Sequence, residues 1–155
     1  MLRWHTIAAG SIAVIALSTT AFSQQASFGT AQEARAMLVK AVSAVKANKA
    51  DALATFNMGE PGFKDRDLYP FCFNLSDGAF VAGIKELLGT DTRILKDPTG
   101  KPIGQDLFAA AQKPEGEITE VGYMFPRPGP DKTPVPKFTF VAKAGDLGCG
   151  VGYYK

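Results

Sequence analysis

Tyr123, Phe125 and Arg127 recur at every second position of a strand-like run, and Lys137 stands beyond the proline-rich loop that follows it. In an extended chain those first three side chains share one side. An Arg guanidinium grips a carboxylate through two parallel N–H bonds, whereas a Lys ammonium acts as a point charge. Tyr123 adds a hydroxyl, and Tyr69, Phe71, Phe73 and Phe125 offer apolar walls. Cations beside aromatic strands and a stiff loop describe a pocket for a small anionic molecule. The plainer reading is that strand aromatics fill a core and cations near loops are solvated.

Other chemistries lack their residues. His5 is the sole His and Trp4 the sole Trp, and both fall within Met1 to Ser23. That segment reads as an export signal: Arg3, an apolar core from Ile7 to Leu17, then small residues Ala21 and Ser23 ahead of cleavage before Gln24. The core is short for a membrane span, and no Cys follows it to carry a lipid anchor. The expectation is a periplasmic or secreted protein, not inserted in the membrane once the signal is removed. Residues 24–30 then form a short linker and 31–155 a single domain. Removing Arg3 takes the net charge from +2 to +1 (17−1 basic, 15 acidic). Such a balance gives no electrostatic footprint for nucleic acid. Without His, acid–base and nucleophilic catalysis lose their commonest residue, and zinc its Cys and His clusters. No catalytic residue, metal or cofactor is assigned, and the domain is expected not to be an enzyme. The carboxylate pairs Asp65 with Asp67 and Glu115 with Glu117 read as solvated surface charge. Gly100-Lys101 is no phosphate loop, since Leu95 and Pro102 stand where that motif needs Gly and Ser or Thr. Gly148, Gly150 and Gly152 are no dinucleotide fingerprint, because Tyr153 takes the third glycine's place and no helix follows. On a strand they instead allow another backbone or helix to approach closely.

The elements that must position these residues follow from periodicity. Thr30 to Glu33 is a capping-box pattern. Behind it Ala34, Leu38, Ala41, Val42 and Val45 recur at helical spacing until about Asn48. A second helical piece spans Ala50 to Phe56. Asp67 to Leu75 and Ala79 to Ala82 flank Asp77-Gly78, a hairpin signal. Tyr69, Phe71 and Phe73 take one face of the first strand and Leu68 and Cys72 the other, while Pro70 implies an edge position or a bulge. Gly83 to Glu115 is an excursion with a helical turn at Ile84 to Leu88 and a short helix at Gln105 to Gln112. The runs Ile118 to Phe125, Val135 to Ala142 and Cys149 to Tyr154 form a meander, with five prolines between Pro126 and Pro136 stiffening one connection. The result is an α+β domain with one antiparallel sheet of about five strands, a long N-terminal amphipathic helix and short helices on one side. Cys72 and Cys149 are the only cysteines. In an oxidising compartment a lone pair reads as one disulfide, against two buried thiols.

The order of motifs resembles the single Cache domains, extracellular relatives of the PAS sensor fold. The resemblance spans roughly Ala31 to Lys155. It rests on the long first helix, Ala52 to Asn57, Asp67-Leu68-Tyr69 opening a strand, and the turn Lys96 to Pro102. It continues in Tyr123 to Pro128 with Pro136-Lys137, and closes with Val151 to Tyr154. One departure is plain: Ala82 to Gly89 holds neither the His nor the Pro that the family often carries there. The resemblance implies a PAS/Cache-like sheet lined by helices, with a pocket beneath the excursion and proline loop. Its ligand would be a small polar metabolite such as a carboxylate. Family members often signal inward to kinase or chemotaxis modules; this sequence runs only to Lys155, so sensing implies a partner, a membrane receptor or kinase. The alternative is a secreted structural or protein–protein interaction module, an inhibitor or envelope-complex subunit.

Overall fold

A computed structural model describes residues 27–155; the expected export signal and residues 24–26 lie outside them. Helix α1 (Ala31–Ala47) begins at a complete capping box. The Thr30 side chain accepts from the Glu33 N–H at 3.2 Å, and the Glu33 carboxylate accepts from the Thr30 N–H at 2.8 Å. Two donors that a helix start leaves orphaned are thereby satisfied. Asn48 ends this helix and caps the next, α2 (Lys49–Met58). Helix α1 buries Ala34, Leu38, Ala41 and Val45 of the apolar stripe together with Met37, while Val42 is half-buried.

Five strands, β1 (Pro70–Asn74), β2 (Phe80–Ala82), β3 (Ile118–Pro126), β4 (Pro134–Ala144) and β5 (Leu147–Tyr154), form one antiparallel sheet in the order β2-β1-β5-β4-β3. The Asp77-Gly78 turn joins β1 to β2, with Gly78 at φ 80°, a conformation that glycine adopts without penalty. Pro70 does not mark a sheet edge, since β1 lies between β2 and β5. It is the first residue of β1 and pairs only with Val151, while the short β2 reaches no further than Cys72, so no ladder bond is lost. A bulge does interrupt the β1–β2 register, between Cys72 and Phe73.

Alternation along the strands divides the core in two. On one face Leu38, Ala41, Cys72, Ala142, Leu147, Cys149, Val151 and Tyr153 pack together beneath α1. Cys72 and Cys149 sit opposite one another in the β1–β5 register and are joined by a disulfide. On the other face Phe71, Phe73, Phe80, Val121 and Val141 meet Leu107, Ala110 and Ala111 of α3 (Ile103–Ala111). Helix α3 starts earlier than Gln105. Its first turn contains Gly104, packed so tightly on the Thr92 carbonyl that a Cβ would overlap it. Glycine's low helix propensity hides that turn from a sequence reading. The excursion also holds 3₁₀ turns at Lys85–Leu87 and Thr92–Ile94.

Candidate functional site

Between the sheet and the excursion lies a cavity of about 340 Å³. Its sheet side is built from Tyr69 and Phe71, Tyr123 and Phe125 of β3, Lys137 of β4 and Gly152 of β5. The excursion supplies the opposite wall: Ile84 and Leu87 around one 3₁₀ turn, Leu95 after the other, and Ile103 and Leu107 of α3. Glu86 and Lys96 also line it, and both are solvent-exposed.

Lys137 is the charged side chain that the lining buries, at 9% exposure. Its backbone pairs with Tyr123 on one side and Tyr154 on the other, so strand parity turns it towards the cavity. Gly152 makes the room: a Cβ there would lie 2.8 Å from Lys137 Cε. The ammonium stands 5.1 Å from the Phe125 ring centroid and 4.8 Å from that of Tyr154. Both rings present their negative faces to it. Among the described residues it has no hydrogen-bond or ion-pair partner. Burial pulls its pKa down to about 8; the Asp67 carboxylate pulls the other way, and Lys64 adds to the fall. The Tyr69 hydroxyl likewise has no hydrogen-bond partner among the described residues, and burial raises its pKa. The Tyr123 hydroxyl shares a 2.9 Å hydrogen bond with the fully buried Thr139 Oγ1, and burial pushes its pKa up to about 12. At neutral pH the interior therefore offers one cation, neutral phenols and hydrocarbon.

The turn Asp97 to Lys101 fixes the excursion to the outer edge of β3. Asp97 Oδ1 accepts from the Thr99 hydroxyl at 2.6 Å, the Thr99 N–H at 2.8 Å and the Lys101 N–H at 3.0 Å. Its Oδ2 accepts from the Met124 N–H at 3.0 Å, and Lys101 Nζ donates to the Gly122 carbonyl at 2.6 Å. These bonds, led by the one from Thr99, hold the Asp97 carboxyl down at about 2. They also cover backbone groups that an edge strand otherwise leaves open. Leu95 and Lys96 are thus held beside the cavity.

Of the residues selected from sequence, Tyr69, Phe71, Tyr123, Phe125 and Lys137 come together here. Phe73 does not line the cavity; it is fully buried against Phe80 and Phe108. Arg127 also lies off it. Strand β3 ends at Pro126, so the alternation that aligned Arg127 with Tyr123 no longer applies. Its guanidinium stacks over Phe28 at 4.5 Å and Tyr154 at 5.0 Å and donates to the Lys155 carbonyl. Asp67 departs from a solvated surface charge: it is 8% exposed, accepts from the Gly29 N–H at 2.6 Å, and leaves Oδ2 buried without a partner. Asp65 pairs with Arg66, Glu115 with Lys46 and Glu117 with Lys113. Of the five aliphatic residues of the excursion wall, none of them selected from sequence, Ile84, Leu87 and Leu95 lie in or beside 3₁₀ turns too short to show a periodic pattern, and Ile103 and Leu107 belong to α3, whose first turn Gly104 hides. Among the described residues no cluster of three or more His, Cys, Asp or Glu is placed to hold a metal ion. No helix among them is long and apolar enough to cross a membrane.

No family model matches the chain, and no curated protein does. Solved structures match over 79% of its length. A methyl-accepting chemotaxis protein from Vibrio parahaemolyticus is 23% identical, with a TM-score of 0.61 and 86% of that chain covered. A periplasmic sensor domain of a chemotaxis protein is 21% identical, with a TM-score of 0.57 and 88% covered. A Cache chemosensory domain described for carboxylic acid recognition is 22% identical, with a TM-score of 0.54 and 86% covered. At such identities the likeness shows the fold, which is that of a single Cache-like, PAS-related domain.

Proposed function

We propose that this is an exported, periplasmic ligand-sensing domain without catalytic activity, which binds a small carboxylate and acts through a partner such as a membrane receptor or kinase. The observation that carries the reading is Lys137: a buried ammonium lining a largely apolar cavity, with no hydrogen-bond or ion-pair partner among the described residues and with the Asp67 carboxylate acting on it only from outside the lining. Burying a charge without a hydrogen-bonded partner is costly, so a ligand carboxylate is its natural complement. The Tyr69 hydroxyl, without a hydrogen-bond partner among the described residues, is placed to donate a second hydrogen bond. The fold shared with chemoreceptor sensor domains and with a Cache domain described for carboxylic acid recognition supports the same function.

Calorimetry of the folded domain against small carboxylates, amines and amino acids tests it. A carboxylate is expected to bind the wild type, to lose about 30-fold or more in Lys137→Met, and to bind Arg127→Ala nearly unchanged. Losing one buried, hydrogen-bonded charge partner costs about 2–5 kcal/mol. Binding that survives Lys137→Met removes this site. Failure of every carboxylate would favour the interaction-module reading.

A further inference from the structure

Resting on the carboxylate reading of this cavity, we infer that the site selects a monocarboxylate with an extended apolar tail, a chain of about six carbons or an aromatic ring, over short acids, dicarboxylates and amino acids. The buried polarity of the cavity is confined to the sheet side; the excursion's own charges, Glu86 and Lys96, are solvent-exposed. Lys137, Tyr69 and Tyr123 project from the sheet side, whereas the excursion wall presents Ile84, Leu87, Leu95, Ile103 and Leu107. Ile103 and Leu107 are 6% and 3% exposed, so the α3 part of the wall is dry hydrocarbon, while Ile84, Leu87 and Leu95 are half-buried towards the mouth. The volume of about 340 Å³ lies within the range of small-molecule sites, and an acid of two or three carbons would leave most of it unfilled. Each methylene buried against such a wall raises affinity about fourfold.

The charges explain what is turned away. A second carboxylate carried into the cavity would meet aliphatic carbon, and Lys96, the other cation of the lining, is exposed to solvent. An α-ammonium placed beside the bound carboxylate would lie near Lys137 without a buried acceptor. Glu86 is exposed, and Asp67, though buried nearby, does not line the cavity. An unpaired charge buried in apolar surroundings is among the most costly features a complex can contain. Selection on this view comes from the excursion wall and from charges that find no partner there, not from Lys137 alone.

Calorimetry of the wild-type domain against acetate, butyrate, hexanoate, phenylacetate, adipate, 6-aminohexanoate and hexylamine tests this. Affinity is expected to rise about fourfold per methylene from acetate to hexanoate, a total of roughly two orders of magnitude. Adipate and 6-aminohexanoate should fall at least about 100-fold below hexanoate, and hexylamine should not bind. Leu107→Phe, accepted only if its thermal unfolding remains cooperative, should move the preferred chain towards butyrate by filling the tail end. Acetate or adipate binding as tightly as hexanoate, with the affinity lost in Lys137→Met, overturns the inference and leaves the carboxylate function standing. Hexanoate and hexylamine binding alike in wild type and Lys137→Met overturns both.

Discussion

The two faces of the sheet are built from alternate residues of the same strands, yet they solve opposite problems. Along β5, Leu147, Cys149, Val151 and Tyr153 point to the α1 side, where they are packed, cross-linked and dry. The residues between them, Gly148, Gly150 and Gly152, carry no side chain. The space they leave is taken by Ala111 and Phe73, by Phe71, and by Lys137 in turn. Packing changes along that row, from a helix seated on Gly148 to the Lys137 ammonium, without an ion-pair partner among the described residues, above Gly152. Both faces are core, but only the α3 face opens, at its Gly152 end, into the cavity proposed to bind. Changes on the α1 face are expected to alter folding while sparing ligand affinity, and changes around the cavity to alter affinity together with stability.

The largest effect is expected from the disulfide. It closes a loop of sequence separation 77, so its loss should reduce stability by about 4 kcal/mol in the chain-entropy account. Urea unfolding of wild type with and without reductant, beside Cys72→Ser combined with Cys149→Ser, measures it. Equal midpoints would mean that the α1 face does not depend on its cross-link. Ligand affinity in whatever fraction stays folded should not change.

A smaller contrast separates two leucines. Leu38 of α1 is fully buried among well-packed neighbours, and Leu38→Ala should cost about 3 kcal/mol. Leu107 of α3 borders space that already exists, so Leu107→Ala forfeits fewer packing contacts and should cost about 2 kcal/mol, the low end for a buried leucine. The same Leu107 change should weaken binding of any tail that reaches it. If both substitutions cost the same, the α3 face is as tightly packed as the other and the comparison fails.

What the sequence makes legible follows the same division. The α1 stripe, the capping box and the β3–β4–β5 meander rest on local periodicity, which the chain displays directly. The opposing wall is set by contacts far apart in sequence. Leu95 is held beside the cavity because Asp97 grips the Met124 N–H, 27 residues away. Phe71 and Phe73 have the same parity, but Phe108 of α3 covers only the second, and no pattern in β1 announces that. Arg127 fails for a local reason, the strand end at Pro126, that a count of alternation passes over. Asp67 is buried because Gly29, 38 residues earlier, folds back over it.

Lys137 sharpens the contrast most, because one proton governs both faces' concerns. Burial brings its pKa from the ordinary 10.5 down to about 8 in the folded chain, so holding the ammonium in the cavity costs on the order of 3 kcal/mol at neutral pH. Lys137→Met, similar in volume and uncharged, should therefore stabilise the unliganded domain by about that amount at pH 7 while removing carboxylate binding. Between pH 8 and 10.5 the unfolded chain holds the proton that the folded chain has released, so this contribution to stability rises with pH and the wild type closes the gap on the variant. Tyr69, Tyr123 and Tyr154, whose pKa values burial raises, act in the opposite direction above pH 10, but they are common to both proteins and cancel in the difference. Carboxylate affinity should fall over the range in which that gap closes, because the neutral amine has no charge to offer. Denaturant unfolding of both proteins at pH 7 and pH 10, beside wild-type titrations at each pH, measures the two trends together. A gap that stays constant from pH 7 to 10 would show that the ammonium is solvated in the free domain, and the cavity would then have no charge waiting for a ligand.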